Sequence, residues 1–286
     1  MTPLRQQFIE ELVLRGCAER TQESYVYQVY HLAKYFRQPP DQLSESQIRQ
    51  YVFYLAHERK LSASSINQAV NAFRFFYERV VHREVAVLHQ ALPFARKAIR
   101  RPQVFSTAEL ERLLTVGCPH PKHRAFLMTV YGAGLRLNEA CHLKCEDLAS
   151  DRGQIRVVQG KGKKDRYTIL SPRLLEELRG YWRLFRPQPW LFPANHDPRK
   201  PLHEVTGQRI YHRAVERAGL TRKGGIHALR HSFATHLLEA GVEITVVQRL
   251  LGHANLATTS NYLHVRVERL AQIAGPLQLL KLTQLS

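Results

Sequence analysis

The feature that most constrains the fold is the helical repeat of apolar residues through roughly the first ninety positions. In four successive segments, apolar side chains recur every three or four residues, which places them on one face of an α-helix. Gly16 ends the first segment, and Pro39-Pro40 ends the second. Ser44 and Gln47 form a capping-box pattern before the third. Four amphipathic helices of this size predict a small helical bundle.

A cluster of basic residues follows this bundle and predicts a linker over residues 91–105. The basic residues are Arg96, Lys97, Arg100 and Arg101. Pro102 would break any helix that passes through, and Ser106 with Glu109 reads as a capping box that opens the next domain. The predicted division is therefore a helical domain at 1–90, a basic linker at 91–105 and a second domain at 106–286. The alternative is a solvated charge run within a single domain.

The second domain is also predicted to be mainly helical, with one exception. In residues 154–170, QIRVVQGKGKKDRYTIL, β-branched runs flank a turn rich in glycine and lysine, which predicts a β-hairpin. The predicted fold class is therefore mainly α with a small β-sheet or hairpin.

The charge balance predicts a polyanionic partner. Among 286 residues, 42 Lys and Arg stand against 24 Asp and Glu, a formal net charge of +18. Nucleic acid is the leading candidate, and an anionic membrane surface is the weaker one because no basic amphipathic anchor stands out. No stretch approaches the ~18 unbroken apolar residues of a membrane helix. Four cysteines make a disulfide scaffold unexpected and favour a reducing cytoplasmic location.

Two familiar kinds of site are disfavoured by residue spacing. The turn GKGKKDR at residues 160–166 lacks the GxxxxGK[ST] pattern of a nucleotide phosphate loop. His227 and His231 have the i, i+4 spacing of a metal pair, but no Glu follows the first His as in HExxH. The sequence therefore predicts no metal and no other cofactor.

Six polar residues of the sequence have the side chains that phosphoryl transfer without a metal requires. They are Arg136, Lys161, His227, Arg230, His253 and Tyr262. Fixed guanidinium groups can stabilise the extra negative charge of a phosphoryl transition state. A tyrosine hydroxyl can attack phosphorus and hold the product as a covalent ester. A histidine can handle the proton of the nucleophile, and a lysine can protonate the departing oxygen.

Taken together, four segments resemble the tyrosine recombinases, the phage-integrase family. The segments are GLRLNE, GKGKKDR, HALRHSFATHLLEAG and LLGHANLATTSNYLHV. Their order, residue types and approximate spacings agree with the family, and the likeness covers nearly the whole chain. It is greatest for the compact bacterial members, the chromosome-dimer resolvases and the integron-type integrases. The resemblance implies an N-terminal four-helix core-binding (SAM-like) domain followed by a mixed α+β catalytic domain.

The resemblance also implies a role for each matching position. Arg136 and Arg230 would clamp the scissile phosphate, with Glu139 orienting the site. Lys161 would protonate the leaving 5′ oxygen. The other implied roles are proton handling by His227, a hydrogen bond to the phosphate from His253, and nucleophilic attack by Tyr262. Further DNA contacts are predicted at Lys163, Lys164 and the four basic residues of the linker.

The family implies a reaction and an assembly. The reaction is site-specific DNA recombination or integration through a 3′-phosphotyrosine intermediate and a Holliday junction, with no ATP. The partners would be duplex DNA with paired half-sites and three further copies of the chain, in a tetramer near the bacterial nucleoid. The tail after Tyr262 has an excess of apolar residues, which suggests docking on a neighbouring subunit.

Two other functions compete with this interpretation. FATHLLEAGVEITVVQRLLG, residues 233–252, reads superficially as helix-turn-helix and would fit a non-catalytic DNA-binding regulator. A type IB topoisomerase-like enzyme, which nicks and closes one duplex, would use similar chemistry.

Overall fold

A computed structural model describes residues 2–96, 103–158, 165–221 and 224–253. The chain divides into two compact units, Met1–Arg100 and Arg101–Ser286. Helices dominate both units, and a small antiparallel sheet lies in the second, so the predicted fold class is confirmed. No helix in the described ranges is both long enough and apolar enough to cross a bilayer.

The first unit consists of helices whose ends follow the predicted signals. The helices are α1 (Pro3–Leu14), α2 (Glu19–Phe36), α3 (Glu45–His57), α4 (Ala63–Arg79) and α5 (Val85–Ala91). The capping box of Ser44 and Gln47 is present at the start of α3. Helix α5 was not predicted, because seven residues are too few to display a clear helical period.

Helix α4 is the centre of this unit, because α2, α3 and α5 all pack against it. Seven of its side chains are buried, among them Phe73 and Phe76. Leu32 of α2 is likewise fully buried in this core. Packing continues into the predicted linker, since Leu92 is buried and the backbone N–H of Ala95 donates to the side chain of Asn67 on α4.

The second unit surrounds the small sheet with helices. These are α6 (Thr107–Leu114), α7 (Pro121–Gly132), α8 (Leu137–Cys141), α9 (Pro172–Phe185), α10 (Glu204–Arg217), α11 (His227–Glu239) and α12 (Ile244–Leu251). The predicted capping box of Ser106 and Glu109 opens α6. Helix α7 contacts α9 and α11, and α12 contacts both α11 and the last strand of the sheet.

The predicted hairpin forms the larger part of the sheet. Strands β2 (Gln154–Val157) and β3 (Arg166–Ile169) pair antiparallel, and a two-residue strand β1 (Leu148–Ala149) joins the edge of β2. Val157 lies opposite Arg166 at the end of the ladder nearest the turn. The turn itself, residues 159–164, lies outside the described residues.

The core of the first unit predicts a large difference between two leucines. Leu32 is fully buried, whereas Leu14 is 80% exposed at the end of α1. Leu32→Ala should lower the free energy of unfolding by about 2–5 kcal/mol, because it removes buried methyl groups and leaves a cavity. Leu14→Ala should change it by about 0.5 kcal/mol or less. Urea denaturation measures both, and equal losses would contradict this assignment of the core.

Candidate active site

The candidate site is built around the buried carboxylate of Glu139 on α8. Only 6% of this side chain is exposed. Its Oε2 accepts the backbone N–H of Arg136 at 2.7 Å, as in a capping box at the start of the helix. Its Oε1 accepts from Nη1 of the Arg136 guanidinium, also at 2.7 Å. A single glutamate thus fixes both the backbone and the side chain of Arg136.

A second arginine reaches the same carboxylate from the sheet. Arg166, the first residue of β3, donates from Nη1 and Nη2 to the two oxygens of Glu139 at 2.8 and 2.7 Å. This two-pronged geometry is the strongest form of an arginine–carboxylate pair. The third contact of Arg166 runs from Nε to the backbone oxygen of Leu250 on α12, at 3.0 Å. Arg166 therefore connects α8, β3 and α12.

A third arginine, Arg230 of α11, also lies close to Glu139. Its Nη1 lies 3.7 Å from Oε2 of Glu139, and its side chain is only 5% exposed. It also donates to the backbone oxygens of Gly134 and Leu251, at 2.5 and 2.6 Å. These backbone contacts hold the Arg230 guanidinium in one orientation.

Two glycines shape the backbone around these arginines. Gly134 follows α7 and Gly252 follows α12, and both adopt the left-handed conformation, with φ of +61° and +64°. A Cβ on Gly134 would lie 2.4 Å from the ring of Phe233, and one on Gly252 would lie 2.6 Å from Cδ of Arg166. The backbone oxygen of Gly252 lies 3.4 Å from Nη2 of Arg136. Both turns thus depend on the absence of a side chain, and both direct a carbonyl toward an arginine.

The charges of this cluster favour an anion. The three guanidinium groups of Arg136, Arg166 and Arg230 outnumber the one carboxylate, which leaves two net positive charges. Burial alone would raise the pKa of Glu139, but hydrogen bonds and charge from Arg166, together with Arg136, lower that pKa to about 2. The carboxylate is therefore ionised at neutral pH. Arg136 is the most exposed of the three, at 25%, against 11% for Arg166.

Three histidines adjoin the arginine cluster. His253 directly follows the end of α12, and burial, followed by the charges of Arg230 and Arg136, lowers its pKa to about 4. Burial, His227 and Arg230 lower the pKa of His231 to about 4. His227, the first residue of α11, has its pKa lowered by loss of hydration and then by Arg230 and Arg136. The imidazoles of His231 and His253 are therefore uncharged at neutral pH.

Comparison with known proteins places this geometry in a family. Residues 103–269 match the phage integrase family, and residues 4–87 match the N-terminal SAM-like domain of phage integrases. The first of these matches covers more than half of the chain and includes α8, β3, α11 and α12, the four elements that carry the cluster. The chain belongs to the phage integrase family. It is a tyrosine recombinase, a DNA-binding enzyme of site-specific DNA recombination.

Individual relatives agree with this membership along the whole chain. The integrase/recombinase y4qK of Sinorhizobium fredii is 43% identical over 281 residues, which cover 98% of this chain and 90% of the relative. The tyrosine recombinase XerA of Thermococcus kodakarensis is 35% identical over 272 residues, covering 93% and 92% of the two chains.

Solved structures share the fold. A crystal structure of XerA recombinase aligns with a TM-score of 0.55 at 27% identity, covering 94% of this chain and 95% of that one. A lambda integrase dimer bound to a core site aligns with a TM-score of 0.75 at 20% identity, covering 95% and 98%.

The recombinase structure brings together five of the residues that the sequence singled out. These are Arg136, Glu139, His227, Arg230 and His253, contributed by α8, α11 and the end of α12. Arg96 is exposed after α5. Lys161, Lys163, Lys164 and Tyr262 lie outside the described residues, as do Lys97, Arg100, Arg101 and the apolar tail.

Sequence reasoning missed the part that Arg166 plays. The residue closes the quoted segment GKGKKDR, of which only the three lysines, Lys161, Lys163 and Lys164, were predicted to act. The available signal was position: an arginine at the first residue of a strand, directly after the turn, and within reach of a carboxylate. No local pattern identified Glu139 as that carboxylate, because 27 residues separate the two.

The buried carboxylate predicts a pH-dependent cost for its removal. Glu139→Gln should lower the free energy of unfolding at pH 7 by about 3–5 kcal/mol, because it leaves buried guanidinium groups without a counter-charge. Since the folded pKa of Glu139 lies below its usual value of 4.5, its contribution is present above pH 4.5 and is lost as the pH falls toward about 2. Urea denaturation from pH 7 to pH 3 should show the two proteins converging.

The matched control for this experiment is Glu177→Gln. Glu177 pairs with Arg124, which is 41% exposed, so its loss should cost about 1 kcal/mol or less. A constant difference between wild type and Glu139→Gln at every pH would contradict the proposed ionisation.

The lowered pKa of His253 predicts a second window of pH dependence. A histidine whose folded pKa lies below 6.5 stabilises the protein above pH 6.5 and loses that contribution as the pH falls toward about 4. His253→Asn should therefore flatten the decline of the unfolding free energy between pH 6.5 and 4. His196→Asn, at an exposed position, controls for the loss of an imidazole. Parallel curves for wild type and His253→Asn would rule out a buried, neutral His253.

Proposed function

We propose that this recombinase cleaves and rejoins DNA with six residues acting at one phosphate: Arg136, Lys161, His227, Arg230, His253 and Tyr262. The observation that carries the proposal is the convergence of Arg136 and Arg230 beside Glu139. Two guanidinium groups from distant parts of the chain are held in place by carbonyl and carboxylate acceptors, so they can receive an anion with little reorganisation. A scissile phosphate is the anion that this arrangement suits.

The proposed cleavage exchanges one ester for another. The hydroxyl oxygen of Tyr262 attacks phosphorus and His227 accepts its proton, while the bond from phosphorus to the 5′ oxygen breaks and Lys161 protonates that oxygen. The products are a 3′-phosphotyrosine and a free 5′ hydroxyl. Arg136 and Arg230 stabilise the charge that accumulates on the non-bridging oxygens, and His253 donates a hydrogen bond there.

The neutral state of the histidines fits these roles. An uncharged His227 can accept a proton, which a protonated imidazole cannot do. An uncharged His253 can donate one N–H without adding a further positive charge to the cluster. Burial, followed by the charges of Arg230 and Arg136, lowers the pKa of both histidines and so favours their neutral form at neutral pH.

Strand exchange follows by reversal of the first step. The 5′ hydroxyl of a partner duplex attacks the phosphotyrosine, restores the phosphodiester and releases Tyr262. The ester conserves the energy of the original bond, so the cycle needs no ATP. Exchange of one strand pair and then the other passes through a Holliday junction. Because each strand needs its own active site, we propose a tetramer on two synapsed duplexes, acting at the nucleoid.

DNA binding would rest on phosphate contacts from both domains and the linker. The formal net charge of +18 supplies the attraction, and affinity should fall steeply with salt. We assign the first unit to core-site binding, residues 91–105 to a basic linker, and the segment from 106 onward to catalysis. The linker residues Arg96, Lys97, Arg100 and Arg101, with Lys163 and Lys164, are proposed backbone contacts. The lambda integrase with a similar fold was solved bound to a DNA core site, which supports DNA as the partner.

The family match and the burial of Arg230 argue against a non-catalytic DNA-binding regulator. The helix-turn-helix pattern corresponds to α11 and α12, which lie within the match to the phage integrase family. Arg230, which a regulator would use to contact the DNA backbone, is only 4% exposed. A topoisomerase would form the same covalent intermediate, so only the product distinguishes it from a recombinase. A topoisomerase rejoins the strands of one duplex, whereas a recombinase exchanges strands between two.

The first test is covalent capture on a nicked duplex. Duplexes drawn from the DNA that flanks the gene, nicked close to the cleavage position, are incubated with protein in EDTA. Wild type should form an adduct that protease removes, and Tyr262→Phe should form none, because it lacks the attacking hydroxyl. Tyr167→Phe is the matched control: this tyrosine lies on β3, is 52% exposed, and should leave the adduct unchanged.

The outcomes separate the possible functions. Tight, salt-sensitive binding without an adduct on a mapped target site would contradict the enzymatic proposal. An adduct that is retained in Tyr262→Phe would assign the nucleophile elsewhere. Recombinant products from two labelled duplexes would exclude a topoisomerase.

A further inference from the structure

We infer that Arg166 is a positioning residue for the cleavage step: it holds Glu139, and through it Arg136, together with the turn that carries His253, in the arrangement that receives the phosphate. The inference rests on the proposed function, and it adds a residue outside the six that contact the phosphate. Arg166 lies on β3 with 11% of its side chain exposed.

Arg166 determines the orientation of the Glu139 carboxylate. Arg166 contacts both carboxylate oxygens, at 2.8 and 2.7 Å, so it fixes the plane of the carboxylate as well as its position. Arg136 contacts only one of these oxygens with its side chain, at Oε1. The orientation of the Arg136 guanidinium therefore depends on an acceptor that Arg166 sets.

Arg166 also contacts the end of α12. Nε of Arg166 donates to the backbone oxygen of Leu250, and its Cδ would lie only 2.6 Å from a Cβ placed on Gly252. The next carbonyl, that of Leu251, accepts from Arg230. Arg166 and Arg230 therefore hold the carbonyls of Leu250 and Leu251, the last two residues of α12. Gly252 and then His253 follow directly after them. The position of the His253 backbone follows from these contacts.

The substitution Arg166→Lys distinguishes the orientation of the Arg166 side chain from its positive charge. Arg166→Lys retains the positive charge, so the electrostatic field of the cluster changes little. A lysine ammonium cannot reproduce the planar fork that grips both oxygens of Glu139 while Nε reaches Leu250. A defect in Arg166→Lys would therefore report lost orientation rather than lost charge.

The experiment compares single-turnover rates of adduct formation on the nicked duplex captured by wild type. Arg166→Lys should form the adduct about 10- to 100-fold more slowly, because small displacements of oriented groups have effects of this size. Its affinity for the same duplex should remain close to that of wild type. Arg156→Lys is the matched control, since Arg156 lies on the adjacent strand and forks onto Asp147 through Nε and Nη2. It should cleave at nearly the wild-type rate.

A second substrate tests the route by which Arg166 acts. In a duplex with a methylphosphonate at the scissile position, a methyl group replaces one non-bridging oxygen and removes the negative charge that Arg136 and Arg230 neutralise. If Arg166 acts through that clamp, the defect of Arg166→Lys should shrink on this substrate. A general loss of structure would slow both substrates equally.

Each outcome is decisive. A wild-type rate for Arg166→Lys, or equal defects on the two substrates, overturns the inference while the proposed function stands. Absence of any adduct with wild type on a mapped site overturns both. Arg166→Gln serves as a second variant and should be at least as slow as Arg166→Lys. If it does not fold, as judged by its thermal unfolding, Arg166→Lys alone decides.

Discussion

The structure of the catalytic unit depends on one ionised carboxylate held under three guanidinium groups. Glu139 is 6% exposed, and a charge that is buried to this extent is stable only when it is paired and hydrogen-bonded. Its partners come from the start of α8, from β3 and from α11. Satisfying this single group therefore requires three elements to meet at one point, and that point is where the proposed phosphate clamp lies.

The same requirement explains why a surplus of positive charge can exist there without DNA. Arg136, Arg166 and Arg230 repel one another, and one carboxylate offsets only part of that repulsion. Backbone carbonyls of Gly134, Leu251 and Leu250 supply the remaining acceptors. The neighbouring imidazoles have lowered pKa values, first because they are buried and then because the arginines make a further positive charge unfavourable. The surplus of positive charge among these three arginines and one carboxylate favours an anion, as the proposed binding of a phosphate requires.

How much of this could be predicted from sequence follows from the range of the interactions involved. The main helices and both capping boxes depend on neighbours three or four residues apart, so periodicity and residue type predicted them. The hairpin followed from β-branched runs around its turn. Helix α5 and strand β1 were not predicted, because segments of seven and two residues are too short to show a periodic pattern of apolar residues. The family resemblance implied that Glu139 orients the site, and the pair that it forms with Arg136 is present.

The contacts that convert this pair into a site are not local, and they explain the place of Arg166 in the chain. Nothing near Arg166 in sequence reveals that its partners are Glu139 and Leu250, 27 residues before and 84 residues after it. Lys161 lies five positions before Arg166, which limits the distance between their Cα atoms to roughly 18 Å. Arg166, at the base of the hairpin, is bound to Glu139, which also binds Arg136. The proposed general acid, Lys161, must therefore act within that distance of Arg166. One buried glutamate thus fixes both Arg136 and the first residue of β3.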